Sequence, residues 1–164
     1  MRRPRKPDPS AGEADERTIR TAALALLAGR DFGRAELESR LLRRGYPSAG
    51  VSAVAAQLAA ERLLSESRFV EQFVRAHARR GHGVVRIRAE LRQKGVADDD
   101  IEAGLERAGE DWAAIARDVR RRRFGVSPPG DYRERARQAR FLQYRGFSAD
   151  EIRAALGPGE DPET

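Results

Sequence analysis

Gly83–Val96, GVVRIRAELRQKGV, is the stretch whose reading decides the fold. Val84, Ile87 and Leu91 fall at i, i+3 and i+7, one face of a helix. Arg86, Arg88, Arg92 and Lys94 point elsewhere around the same cylinder, and Glu90 precedes Lys94 by one helical turn. Gly95 then stops the helix, because a residue without Cβ enters the left-handed conformation of a C-terminal cap without penalty.

The same unit recurs on both sides. Leu41-Leu42-Arg43-Arg44-Gly45-Tyr46 lies earlier and Leu142-Gln143-Tyr144-Arg145-Gly146-Phe147 later. In each copy a leucine stands before the glycine (Leu41, Leu91, Leu142) and an apolar or aromatic residue follows it (Tyr46, Val96, Phe147). A β-branched residue comes next in register (Val51, Ile101, Ile152), then Leu105 and Leu156, where the first copy has Ala55. A period of roughly fifty residues marks a stacked helical repeat. The expected fold is all-α: three tandem three-helix repeats in a curved, elongated array.

The boundaries follow from composition and caps. Residues 1–16 are rich in proline and charge and read as a disordered basic tail. Repeat 1 is expected over 17–64: a helix with Ile19, Ala23, Leu24, Leu26 and Leu27 ending at Gly29, a second over 34–44, and a third capped by Ser48 and running to about Leu63. Repeat 2 is expected over 65–109, opening on Ser65 as cap, with Phe69, Phe73, Val74 and His77 facing inward and a break at Arg79-Arg80-Gly81-His82-Gly83. Asp98-Asp99-Asp100 opens its last helix, where carboxylates suit the positive helix end. Repeat 3 is expected over 110–157, with Trp112, Ile115, Ala116 and Val119 on one face and a Phe124–Gly130 loop. Its second helix departs from pattern, since Gln138 occupies the position of Leu37 and Ile87; Ala139 and Leu142 are expected to take over the packing. Ser148 and Glu151 form a capping box, and 158–164 read as an acidic tail.

The 164 residues are 40% hydrophobic and 35% charged, with a net charge of +6 and a pI near 10.6, which favours contact with polyanions or acidic protein surfaces. The charge comes in blocks: positive over 75–94, negative over 98–111, positive again over 117–145. The absence of cysteine excludes disulfides and thiolate metal sites and fits a reducing interior. No apolar run reaches the roughly 20 residues of a membrane span, and the basic start leads into no signal segment, so the cytoplasm is expected. His77 and His82 do not share a helix face as paired zinc ligands do, and Glu110 and Asp111 sit together on an acidic stretch. No nucleophile elbow or Walker sequence is present, so the expected work is binding, without catalytic residues, metal or cofactor.

Four stretches together resemble the RecX family of bacterial recombination regulators: Leu64-Ser65-Glu66-Ser67-Arg68-Phe69-Val70, Gly81-His82-Gly83 with Arg86-Ile87, Glu90-Leu91-Arg92-Gln93-Lys94-Gly95-Val96, and Arg140-Phe141-Leu142-Gln143-Tyr144-Arg145-Gly146-Phe147. The resemblance covers Thr18 to Leu156. It implies a protein that binds the RecA recombinase, free or as a filament on single-stranded DNA, and inhibits its ATPase, strand-exchange and co-protease activities. Weak direct nucleic-acid contact, no membrane partner and a monomeric state complete the expectation. The family carries over no catalytic residue.

The partner- or nucleic-acid-binding residues are therefore placed on exposed cations. In repeat 2 these are Arg79, Arg80, Arg86, Arg88, Arg92 and Lys94. In repeat 3 they are Arg120, Arg121, Arg122, Arg123, Arg140 and Arg145. The rival reading is a sequence-specific DNA-binding protein in which one repeat serves as a helix-turn-helix module.

Overall fold

A leucine followed by a left-handed glycine organises every repeat. Leu41, Leu91 and Leu142 are each completely buried, and Gly45, Gly95 and Gly146 take φ of 89°, 80° and 92°. In the outer copies the residue after the glycine donates its N–H back to that leucine's carbonyl, Tyr46 to Leu41 at 3.4 Å and Phe147 to Leu142 at 3.2 Å. These bonds satisfy carbonyls that a helix end otherwise leaves bare.

The structure, a computed structural model, describes residues 9–158, with side chains from Asp15 onward. The described residues form nine helices and no strand: α1 (Pro9–Gly29), α2 (Arg34–Arg43), α3 (Ser48–Ala60), α4 (Glu66–Arg79), α5 (Val84–Gln93), α6 (Asp98–Ala108), α7 (Trp112–Phe124), α8 (Tyr132–Tyr144) and α9 (Ala149–Leu156). The fold is all-α, in three successive helical trios. Helix α1 begins inside the stretch expected to be a loose tail. Proline is tolerated in a first turn, and Ala11–Glu16 are mostly good helix formers. The remainder of that tail, and residues 159–164, lie outside the described residues.

Two compact units are distinguished. The first runs through Phe69 and also takes in Lys94–Val96. Its core joins Ile19, Ala23, Phe32, Leu37, Leu41, Val51, Val54, Ala55, Leu58 and Leu64. Leu24, on the same helix as Ile19 and Ala23, is 37% exposed. Ser48 is the first residue of α3 rather than its cap; Pro47 holds the cap position with no side-chain hydrogen bond. Helix α3 stops at Ala60, sooner than expected, because Arg62 takes a left-handed φ of 60° and Leu63 and Leu64 both donate back to the Leu58 carbonyl. Ser65 caps α4 as expected, its hydroxyl accepting from the Arg68 N–H at 3.3 Å.

The second unit comprises Val70–Gln93 and the chain from Ala97 onward. Ala116, Leu142, Phe147, Ala155 and Leu156 form one core within it, flanked by Ile115, Val119, Ala139, Phe141 and Ile152. Val70, Val74, Ile87 and Ile101 are also completely buried. Asp111 is the N-cap of α7, accepting from the Ala114 N–H at 2.9 Å, so this carboxylate has structural work. The Ser148–Glu151 capping box opens α9 as expected.

Gln138 does not yield its core position. It is 2% exposed and bonded at both ends of its amide: Oε1 accepts from Arg120 at 3.4 Å, and Nε2 donates to Glu134 at 2.9 Å. A polar side chain can occupy the slot of Leu37 and Ile87 because these partners replace the water it loses.

Candidate partner-binding surface

The sequence places twelve cations on the candidate surface, and the structure sorts them into three groups. Those of α5 and its turn are matched by acids. Arg86 Nε lies 2.7 Å from Glu90, and Arg88 grips Glu102 with two bonds of 2.7 and 2.8 Å. Arg92 meets Asp98 at 2.7 Å and Lys94 meets Glu36 at 3.5 Å. The Arg88 hydrogen bond and charge hold the Glu102 carboxyl below its usual range. Burial would raise Glu36, but the Arg30 hydrogen bond and the charges of Lys94, Arg30 and Arg40 bring it down. Such solvent-facing pairs add little stability, about 0–1 kcal/mol each. Their larger effect is to cancel the positive stripe expected on α5, and they occupy the side chains a recognition helix would use to read DNA.

Arg120 forms the second group alone. It is 4% exposed and turned inward. Its guanidinium donates to the carbonyls of Ser127 (2.9 Å), Val126 (3.1 Å) and Gly125 (3.3 Å), as well as to Gln138. It ties down the α7–α8 loop and leaves no face for a partner, which corrects its assignment to the binding surface. Four successive arginines surround a helix, and here one of them faces the core.

The third group stays accessible. Arg79, Arg80, Arg121 and Arg140 are exposed, and none of them has an acidic partner among the described residues. Arg122 pairs with Asp118. The Arg123 guanidinium lies 5.9 Å from the centre of the Phe124 ring. Arg145 donates to the Arg80 carbonyl at 3.3 Å and lies 5.4 Å from the Phe141 ring centre. Arg80, Arg122, Arg123 and Arg145 converge, with Gly81, Val119 and Phe141, on a pocket of about 200 Å³. The ends of α4, α7 and α8 meet there. The α4–α5 break is held in place by two N–H donations, Gly83 to the Arg145 carbonyl at 3.0 Å and Val85 to the Gly146 carbonyl at 2.9 Å. Gly81, with φ of 74°, closes against Val119, where a Cβ would lie 2.7 Å from a Val119 methyl. The apolar floor was missed from the sequence; Phe141 beside Arg140 was its only local signal.

Two further features lie in the same unit. His77 and His82 meet through their Nδ1 atoms at 2.9 Å, so one imidazole donates and the other accepts. His77 also stacks on Phe73 with ring centres 4.1 Å apart and sets its Nε2 3.5 Å from Glu90. Five residues apart across a helix break, they are closer than the sequence suggested. No group of three or more metal-ligating side chains gathers among the described residues. Helices α8 and α9 also enclose an apolar groove of about 590 Å³ whose rim carries Tyr132, 87% exposed. No helix among the described residues is long and apolar enough to cross a membrane.

Comparison with known proteins places this architecture. Residues 65–105 match a family model described as the second three-helix domain of RecX, and residues 110–156 match the third. The chain is 53% identical over 151 residues to the regulatory protein RecX of Halorhodospira halophila, covering 92% of this chain and 93% of that one. It is 47% identical over 144 residues to the regulatory protein RecX of Pseudomonas fluorescens, covering 87% and 93%. The crystal structure of RecX from Lactobacillus salivarius superposes with a TM-score of 0.68 at 24% identity, over 85% of this chain and 93% of that one. A second crystal structure of a regulatory protein RecX gives 0.71 at 19% identity, over 92% and 78%. With three helical trios, two matched domain models and 53% identity to a curated relative over 92% of its own length, this chain belongs to the RecX family of regulatory proteins.

Proposed function

We propose that this chain regulates homologous recombination and DNA repair by binding RecA, free or as a filament on single-stranded DNA. Binding inhibits the recombinase's ATPase, strand-exchange and co-protease activities. The observation that carries the reading is the 53% identity to a regulatory protein RecX over 93% of that protein's length. The relatives are named regulatory proteins, which supports a role in docking rather than catalysis; the lack of cysteine suits a cytoplasmic setting for it. The accessible cations Arg79, Arg80, Arg121, Arg122, Arg123, Arg140 and Arg145 supply the contact, meeting acidic protein surface or phosphate on the filament. Contacts spread over successive repeats act together through effective concentration. Their attraction weakens with salt.

The test is a titration of this protein into RecA filaments, reading ATP hydrolysis and strand exchange, with co-sedimentation in the presence and absence of DNA. Inhibition at micromolar protein and low salt is expected, with co-sedimentation that declines as salt rises. Unchanged ATPase and strand exchange under those conditions refute the reading.

A further inference from the structure

We propose that the pocket at the joined ends of α4, α7 and α8 is a phosphate-binding site. The inference deepens the recombinase reading by naming the chemistry its basic surface recognises, and rests on it only for biological setting.

The charge of the pocket is unusually one-sided. Arg80, Arg122, Arg123 and Arg145 line it, and among the described residues only Arg122 has a carboxylate against it, that of Asp118. Three helix C-termini meet there, each equivalent to roughly −0.5 charge. Part of the arginine charge is therefore spent on the fold, as the Arg145 bond to the Arg80 carbonyl shows. Four guanidiniums still outweigh three helix ends and one carboxylate. The surplus suits one bound anion.

The donors fit as well as the charge. A guanidinium carries five N–H donors in a planar fork that matches phosphate oxygens two at a time. Arg145 uses one of its five on the Arg80 carbonyl, and Arg123 lies near the Phe124 ring with no hydrogen-bond partner among the described residues. The floor is Val119 and Phe141, so an anion there is partly screened from water and its hydrogen bonds are strengthened. About 200 Å³ equals the share of roughly six or seven water molecules at ~30 Å³ each. That admits a phosphate with a few waters, while an attached nucleoside stands outside. The phosphate belongs to a nucleic-acid backbone or to a free nucleotide, and the pocket chemistry is the same for both.

The experiment uses the full chain in phosphate-free, low-salt buffer, without recombinase, so its outcome is separate from that of the ATPase titration. Inorganic phosphate, pyrophosphate and a fluorescent fifteen-residue oligothymidylate, a length of roughly one single-strand site, are titrated against the wild type and two double variants. The first is Arg80→Gln with Arg123→Gln. The second, Arg44→Gln with Arg133→Gln, removes the same charge from exposed sites elsewhere. The pocket variant is expected to weaken binding of all three probes about tenfold or more, with unchanged circular dichroism and melting, while the second variant changes it less than about twofold. Tighter binding of the oligonucleotide with displacement by inorganic phosphate assigns the site to a nucleic-acid backbone. Tighter binding of pyrophosphate assigns it to a free nucleotide. Equal loss in both double variants, no phosphate binding at low salt, or stronger competition by a glutamate-rich peptide overturns the proposal.

Discussion

The Glu66 carboxylate, at the start of repeat 2, accepts the backbone N–H of Arg34 at 2.7 Å, so one repeat caps a helix of the repeat before it. Helix α2 has glycine at its own N-cap and no side-chain cap of its own. The next joint uses the same logic with different atoms: the carbonyls of Arg145 and Gly146 take the N–H groups of Gly83 and Val85 at the start of α5. Repeat 3 has no successor among the described residues, and there α8 is capped from within by Asp131, which accepts from Glu134 at 2.7 Å. Glycine stands where the neighbour supplies the acceptor, and aspartate where it does not.

Removing either acceptor therefore destabilises by the amount of a helix cap. Glu66→Ala and Asp131→Ala are each expected to cost about 1 kcal/mol in urea unfolding. Glu66→Gln, whose amide oxygen still accepts, is expected to cost less than half as much. A Glu66→Ala protein as stable as wild type shows that the bond to Arg34 is idle.

Gly45 and Gly146 share a left-handed backbone but differ in surroundings, which separates two costs of adding a Cβ. At Gly45 nothing lies within 4 Å of the added carbon; at Gly146 it collides with the backbone and Cβ of Arg86. Gly45→Ala is expected to lose about 1–2 kcal/mol from the left-handed conformation alone. Gly146→Ala loses that and about 1–3 kcal/mol more from overpacking. Chemical denaturation of the two variants reads the difference, and equal losses mean the Gly146 contact relaxes freely.

Arg120 and Gln138 are coupled, since each satisfies the other in a site with little water. Arg120→Ala strands the loop carbonyls of Gly125, Val126 and Ser127 as well as the Gln138 oxygen, and is expected to cost about 2–4 kcal/mol. Gln138→Leu restores the apolar pattern of the other repeats and is expected to cost much less. A double-mutant cycle should show coupling of about 0.5 kcal/mol or more. Strict additivity of the two substitutions rules the bond out as a determinant of stability.

These particulars explain what the sequence made legible. The leucine and glycine of each repeat are visible because burial and a left-handed turn each restrict residue choice strongly at one position. The Gln138 exception looked like a weakened core because its compensating partner, Arg120, lies 18 residues away and resembled one more surface cation. The charge blocks misled for a topological reason. The basic stretch of α5 and the acidic start of α6 are separated along the chain but fold beside each other, so Arg88 finds Glu102 and Arg92 finds Asp98. Opposite blocks on adjacent helices cancel, and the net basic character moves to the ends of α4, α7 and α8. Helix capping by Glu66 across 32 residues left no local signature at all.

The His77–His82 pair gives the fold an acid sensitivity that begins above the carboxylate range. Burial holds the His82 imidazole below its ordinary 6.5, the positive charges of Arg86, His77 and Arg145 push the same way, and Glu90 opposes them only in part. A histidine depressed in the folded state takes up its proton more readily when unfolded. Its contribution is therefore intact above about pH 6.5 and is lost as pH falls through the folded value. Double protonation also leaves two Nδ1–H donors facing each other across 2.9 Å, which breaks the bond between the rings. The depressed carboxyls of Glu36, Glu90 and Glu102 add their own loss only below about 4.5. The melting temperature is thus expected to decline in two stages, the first setting in below about pH 6.5. His82→Asn keeps an amide able to pair with His77 but removes the titration, so it should flatten the first stage and leave the second. An unaltered pH profile in that variant would assign the early decline to another group.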